Sequence, residues 1–284
     1  DPAPELTALR LPPIVKQVAL ETHGLVLVTG PTGHGKSTTI AALLEYMNRN
    51  VSRHIVTLEN PVEFVFEDRL SSFAQREVGR DIDTLEQGLR GSVREDPDVV
   101  LMGAIETRSE FELALNTAES GRLVISTLTS VTAQRTIERI LNFYSPEQQA
   151  GIRLRLADAL KAILSQRLVQ RRGGRARVMA TEVFLSTPLT HECIRDHNRL
   201  RTLASSLTSG TREFGTQSFD QVLAGMVSDK MITADMARAV AGNSPELNRL
   251  LKGGATEPPR RRGSTEPGRM TGSTPSEPGR NRGR

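Results

Sequence analysis

The chain has 284 residues, enough for one large domain plus a smaller one. Its 37% hydrophobic and 25% charged residues are those of an ordinary soluble globular protein. The net charge of +4 resides in residues 253–284, which carry seven Arg and three Glu and leave 30 basic and 30 acidic groups in the rest; a neutral body argues against a nucleic-acid footprint. Cys193 is the sole cysteine, which excludes an internal disulfide and suits a reducing, cytoplasmic compartment. Apolar runs such as LVLV at 25–28 fall far short of the ~18 residues a transmembrane segment needs.

In chain order, DPAPELTALRLPP (1–13) contains four prolines and is expected to be an extended linker, followed by helical spacing in IVKQVALE (14–21). LVLVTG (25–30) predicts a strand that runs into a glycine-rich turn and the helix KSTTIAALLEYM. Further strands are expected at 54–59, 72–78, 98–104 and 123–128, with amphipathic helical patterns between several of them. Apolar strands alternating with helices predict an α/β fold with a mainly parallel sheet covered on both faces. One long helix is expected over 146–169, then a two-strand signal on either side of Gly173–Gly174. From Thr187 onward short helices are expected, with Ser218 and Thr233 as N-caps. The implied divisions are a linker and helix (1–22), a core (23–186), a helical subdomain (187–252) and a basic tail (253–284). The tail has no Leu, Ile, Val or Phe and three near-copies of TEPGR, so disorder is expected there.

GPTGHGKS (30–37) fits the phosphate-loop pattern G-x-x-x-x-G-K-[ST]. Gly30, Gly33 and Gly35 let the backbone bend so that N–H groups point at phosphate oxygens, and the following helix adds its positive N-terminal end. Lys36 is placed to reach the β/γ-phosphates and Ser37 to ligate Mg²⁺. Pro31, Thr32, His34 and Thr38 complete the candidate ATP-contacting stretch, with the His34 backbone rather than its imidazole expected to serve the phosphate. His191, Cys193 and His197 are not spaced to converge on a metal, so nucleotide-bound Mg²⁺ is the metal expected.

GPTGHGKSTT, LENPVEFVF (58–66), QREVG (75–79), LRGSVREDPDVVLMG (89–103), AESGRLVISTL (118–128) and TIERIL (136–141) occur in the order of the type IV pilus retraction ATPases. The chain resembles this twitching-motility group of the type II/IV secretion ATPase superfamily over about residues 5–250. The resemblance implies a RecA-like P-loop NTPase core with a small helical C-terminal subdomain. It further implies an ATP-driven homo- or hetero-hexamer, cytoplasmic and peripheral at the inner membrane, docked on pilus platform proteins. Residue 5 would already lie in the linker that follows a PAS-like domain.

Several catalytic positions depart from the family pattern. The first acidic motif, E-D-P-x-E, reads Glu59-Asn60-Pro61-Val62-Glu63; Glu59 is either an organiser of Mg²⁺-bound or attacking water or a strand-end carboxylate bonded to backbone. Where the family has G-E-M-R-D this chain has Gly103-Ala104-Ile105-Glu106-Thr107, so the water-polarising glutamate is replaced by a methyl group. Glu106, two positions on, lies about 7 Å further along an extended chain. Arg122 and Thr129 replace the two family histidines; Arg122 is either a phosphate donor or a solvated charge. Arg90 and Arg94 match paired family arginines and are either phosphate or ring contacts or ordinary helix-surface charges. STPLTHECIRD stands where the family has A-I-R-N-L-I-R-E and keeps Ile194 and Arg195. Two functions remain open: a mechanochemical ATPase subunit, or a catalytically impaired accessory subunit that binds ATP beside an active paralogue.

Overall fold

Apolar runs of about six residues form most of the strands, each buried on both faces. The computed structural model describes residues 3–174, 176–241 and 244–253; the tail repeats lie outside the described residues. Its strands are β1 (Gly24–Thr29), β2 (His54–Glu59), β3 (Ser72–Glu77), β4 (Val99–Ala104), β5 (Leu123–Leu128), β6 (Leu160–Gln170) and β7 (Arg177–Leu185). They form one sheet in the order β3-β2-β4-β5-β1-β6-β7, parallel throughout except for the antiparallel β6–β7 hairpin. Parallel neighbours need crossovers, which helices supply except between β2 and β3, where residues 60–71 cross as a loop.

The helices are α1 (Val15–Ala19), α2 (Lys36–Asn50), α3 (Leu85–Ser92), α4 (Arg108–Glu119), α5 (Ala133–Leu141), α6 (Pro146–Ala159), α7 (Pro188–Arg195), α8 (Leu203–Ser209), α9 (Thr211–Phe214), α10 (Phe219–Ser228), α11 (Ala234–Ala241) and α12 (Pro245–Lys252). Strand alternation divides the apolar residues between two cores. Leu25, Leu27, Val56, Leu58, Val100 and Met102 pack with Phe111, Leu115, Ile137 and Leu156 on one face. Val26, Val28, Ile55, Val99 and Leu101 pack with Ile40, Leu43, Leu44 and Met47 of α2 on the other. The helices after Thr187 divide in turn. Cys193 and Ile194 of α7 and Leu203 and Leu207 of α8 join the first face. Phe219, Leu223, Ala237 and Leu247 form a third cluster with Val169 and Ala180 at the far end of the hairpin.

The single helix expected over 146–169 is corrected by the structure. It ends at Ala159, Leu160 turns extended at φ −71° and ψ 123°, and the eleven residues Leu160–Gln170 are β6. Leu, Lys, Ala, Gln and Arg in LKAILSQRLVQ favour a helix locally. Pairing with β1 on one side and β7 on the other overrides that preference and buries residues 162–166. Nor is the proline-rich start simply extended, since Leu6–Leu9 form a 3₁₀ turn and Leu6 is buried in the α2 core. The caps stand where expected: Ser218 Oγ accepts from the Gln221 N–H, and Thr233 Oγ1 from the Met236 N–H at 3.2 Å.

Candidate nucleotide site

β1 lies between β5 and β6, and its last residue, Thr29, leads into loop 30–35 and the first turn of α2. At Gly30, φ is 152° and a Cβ would lie 2.5 Å from the Gln166 carbonyl oxygen, so no side chain fits. Gly33 and Gly35 have φ of 76° and 82°. Among the described residues, none of the backbone N–H groups of residues 32–38 has an acceptor in the fold. Seven unpaired amides at the N-terminus of a 15-residue helix form a cradle for phosphate oxygens. Over it, the Lys36 ammonium donates to the Gly30 and Pro31 carbonyls at 3.0 and 3.1 Å, and burial holds its pKa below the ordinary lysine value.

β6 braces the cradle from behind. Gln166 donates Nε2–H to the His34 carbonyl at 2.7 Å and accepts from Thr39 Oγ1 at 2.9 Å. His34 Nδ1 accepts the Leu168 N–H at 3.0 Å. Burial first, then the charges of Arg177, Lys36 and Arg167, lower the His34 pKa. Its neutral ring is therefore spent on β6, and its peptide N–H belongs to the cradle.

The opposite lip is formed by the ends of β2, β4 and β5. A cleft of about 170 Å³ is lined there by Ser37, Glu59, Glu63, Ala104 and Thr127, among others. Ser37 Oγ donates to Glu63 Oε1 at 2.8 Å. Glu59 is half-buried, and burial raises its carboxyl pKa; Gln75 Nε2 lies 3.4 Å from its Oε1. A serine hydroxyl beside two carboxylates is a set of hard oxygen donors suited to Mg²⁺, which keeps several waters and takes few protein ligands. Among the described residues no group of three His, Cys, Asp or Glu forms a complete metal cage. A cation held by Ser37 and the nearby carboxylates would thus also rely on phosphate oxygens and water.

Ala104 ends β4 exposed on this lip, where its methyl has no proton-accepting atom. Glu106 is exposed and is not part of the cleft lining. Its N–H and that of Thr107 donate to Glu110 Oε2 at 2.8 and 2.9 Å, which fixes the backbone as the capped start of α4. Thr129, just past β5, is exposed at the same edge.

Arg122 does not contact phosphate at this loop, contrary to one of its two sequence readings. It precedes β5, and Leu123 pairs with Gly24, whereas the loop emerges beyond the Thr29–Leu128 pair. The arginine is therefore at the opposite edge of the sheet, roughly 17–20 Å away at ~3.3 Å per residue. There it donates to Asp96 Oδ1 at 3.1 Å and Ser120 Oγ at 2.9 Å. Arg90 pairs with Glu86 one turn back at 2.6 Å, as a helix-surface charge, and Arg94 is exposed on the 3₁₀ turn before β4.

Two participants escaped the sequence reading. Gln166 was hidden by the helical reading of its segment. Glu63 was visible four residues after Glu59 in a doubly acidic motif, but was not singled out.

A parallel sheet with a glycine cradle between its central strand and α2 defines a RecA-like P-loop nucleotide-binding core. The chain belongs to the type II/IV secretion system protein family, whose pattern matches residues 10–234. It is 40% identical over 228 residues to the type IV pilus retraction ATPase PilT of Pseudomonas aeruginosa, a match spanning 80% of this chain and 65% of that protein. It is 36% identical over 254 residues to the type IV pilus ATPase PilU of the same organism, spanning 89% of this chain and 65% of the relative. A crystal structure of the pilus retraction motor PilT with bound ADP superposes with a TM-score of 0.80 at 39% identity, over 87% of this chain and 69% of that one. The ATPase DotB of Legionella pneumophila, at 21% identity and a TM-score of 0.76 over 86% of this chain and 66% of that one, shares the fold. Among the described residues no helix is long and apolar enough to cross a membrane.

Proposed function

We propose that this chain is the ATP-binding motor core of a type IV pilus retraction machine. The observation that carries the reading is the complete phosphate cradle, supported by the likeness to a retraction motor holding ADP. On binding ATP, Lys36 would exchange the Gly30 and Pro31 carbonyls for β/γ-phosphate oxygens, and Ser37 would turn from Glu63 to the cation. Bound Mg²⁺ supplies charge neutralisation. Glu59, half-buried with a raised pKa, would orient the attacking water or a Mg²⁺-bound one. The chain would work in a homo- or hetero-hexamer, cytoplasmic and peripheral at the inner membrane, against pilus platform proteins.

One observation favours a second reading. Ala104 leaves the cleft without a water-polarising carboxylate at the end of β4, as expected of an accessory subunit that binds ATP beside an active paralogue. Mg-ATP affinity and phosphate release, measured on the same preparation, separate the two. Binding with release, both lost in Lys36→Ala, supports the motor; binding without release supports the accessory subunit; no binding overturns both.

A further inference from the structure

β6 holds His34 at two points. The His34 carbonyl accepts the Gln166 Nε2–H at 2.7 Å, and the ring Nδ1 accepts the Leu168 N–H at 3.0 Å. Gln166 is fully buried, and its amide has one way round. A carbonyl can only accept, so the NH₂ end must face His34, which leaves Oε1 for the Thr39 hydroxyl at 2.9 Å. Thr39 is also fully buried and stands in the first turn of α2.

The consequence falls on the peptide between His34 and Gly35. That bond is trans, since Asn60–Pro61 is the sole cis peptide among the described residues. In a trans peptide the C=O and the N–H point in opposite directions. Holding the His34 carbonyl against β6 therefore turns the Gly35 N–H to the open side of the loop, where it has no acceptor in the fold. Gly35 does not itself select this orientation. Its φ is 82°, and turning the peptide over would bring φ to roughly −100°, which glycine adopts about as readily. The overturned peptide would offer phosphate a carbonyl oxygen in place of an N–H.

We propose that Gln166 is a positioning residue for nucleotide binding: it fixes the His34–Gly35 peptide so that the Gly35 N–H faces phosphate, and Thr39 keeps the Gln166 amide the right way round. The proposal rests on the nucleotide reading of the loop, yet its first readout needs no nucleotide.

The peptide can be watched directly. Histidine precedes glycine at two places, His23–Gly24 and His34–Gly35, so carbonyl-¹³C histidine and ¹⁵N glycine give two correlated amide signals in NMR of the full chain. The Gly24 N–H donates to the Arg122 carbonyl at 3.0 Å and serves as the internal reference. Without nucleotide, Gln166→Met, which removes the donor at similar volume, is expected to move the Gly35 signal and leave Gly24 in place. With Mg-ADP, the wild-type Gly35 proton is expected to shift downfield, and Gln166→Met to bind about tenfold more weakly, the scale of one hydrogen bond to a charged group. Thr39→Val leaves the donor but frees the amide to turn, and is expected to weaken binding about threefold. The double variant should bind no worse than Gln166→Met, because Thr39 acts through Gln166. A Gly35 signal unmoved by Gln166→Met, an affinity within twofold of the wild type, or losses that multiply would overturn the proposal. Gly24 moving together with Gly35 would also overturn it, as the mark of general loosening. If the wild type binds no Mg-ADP, the nucleotide reading falls, while the nucleotide-free Gly35 signal still decides whether Gln166 orients the peptide.

Discussion

On the β1–α2 side of the cleft the amides, the ammonium and the hydroxyl proposed to hold a triphosphate are all in place, braced by Gln166 and His34. On the β4–β5 side the corresponding strand ends carry a methyl group at Ala104 and a hydroxyl at Thr129. Gripping phosphate and aiming water would thus be separable properties of one cleft, and on the proposed reading this chain keeps the groups for the first more fully than those for the second. Glu59 and Glu63 lie between the two sides and are the acidic groups in the cleft lining.

The contrast can be broken most forcefully at Lys36. Lys36→Ala is expected to weaken Mg-ATP binding by about a hundredfold, or ~2.7 kcal/mol, in a calorimetric titration. Retained affinity would mean that the amides alone hold the nucleotide. Next in size is Gly30→Ala, whose added carbon would meet the Gln166 carbonyl at 2.5 Å. Urea unfolding is expected to show a loss of about 1–3 kcal/mol, the usual cost of overpacking, together with weakened nucleotide binding.

A pH experiment addresses Glu182, a buried acid of β7 that accepts the Ala133 N–H at 2.6 Å. In the unfolded chain Glu182 loses its proton near the ordinary glutamate value, whereas in the folded chain it keeps it to about pH 7. Between those limits the unfolded state binds fewer protons, so this group's contribution lowers stability as pH rises through the window and is constant above it. Melting temperatures should therefore show a falling component from about pH 4.5 to 7 in the wild type that Glu182→Gln removes. The smallest effect is expected of Arg122→Ala: a change in nucleotide affinity below about twofold and a stability loss of ~1 kcal/mol, because it pairs with the exposed Asp96 at the other edge of the sheet. A large loss of affinity would return Arg122 to the phosphate.

Much of this architecture was legible before the structure. β2 and β5 span the segments expected, 54–59 and 123–128, because a buried apolar stretch at the centre of each parallel strand marks its place. The cradle was legible because its glycines and lysine act through spacing along the chain. β6 was not, since its helix-forming residues become a strand only by pairing with segments far away in sequence. Gln166 and the Thr29–Ser165 hydrogen bond were lost with it. Arg122 was misplaced for a simpler reason. A family motif supplies residue order, whereas the direction of a parallel strand decides which edge of the sheet a residue reaches.

Phosphate release from saturating Mg-ATP under single-turnover conditions, compared between the wild type and Ala104→Glu, tests the division of labour most directly. The expected result is slow release from the wild type and a rise of about a hundredfold or more in the variant, with affinity unchanged. Brisk turnover by the wild type and no gain from the glutamate would contradict it.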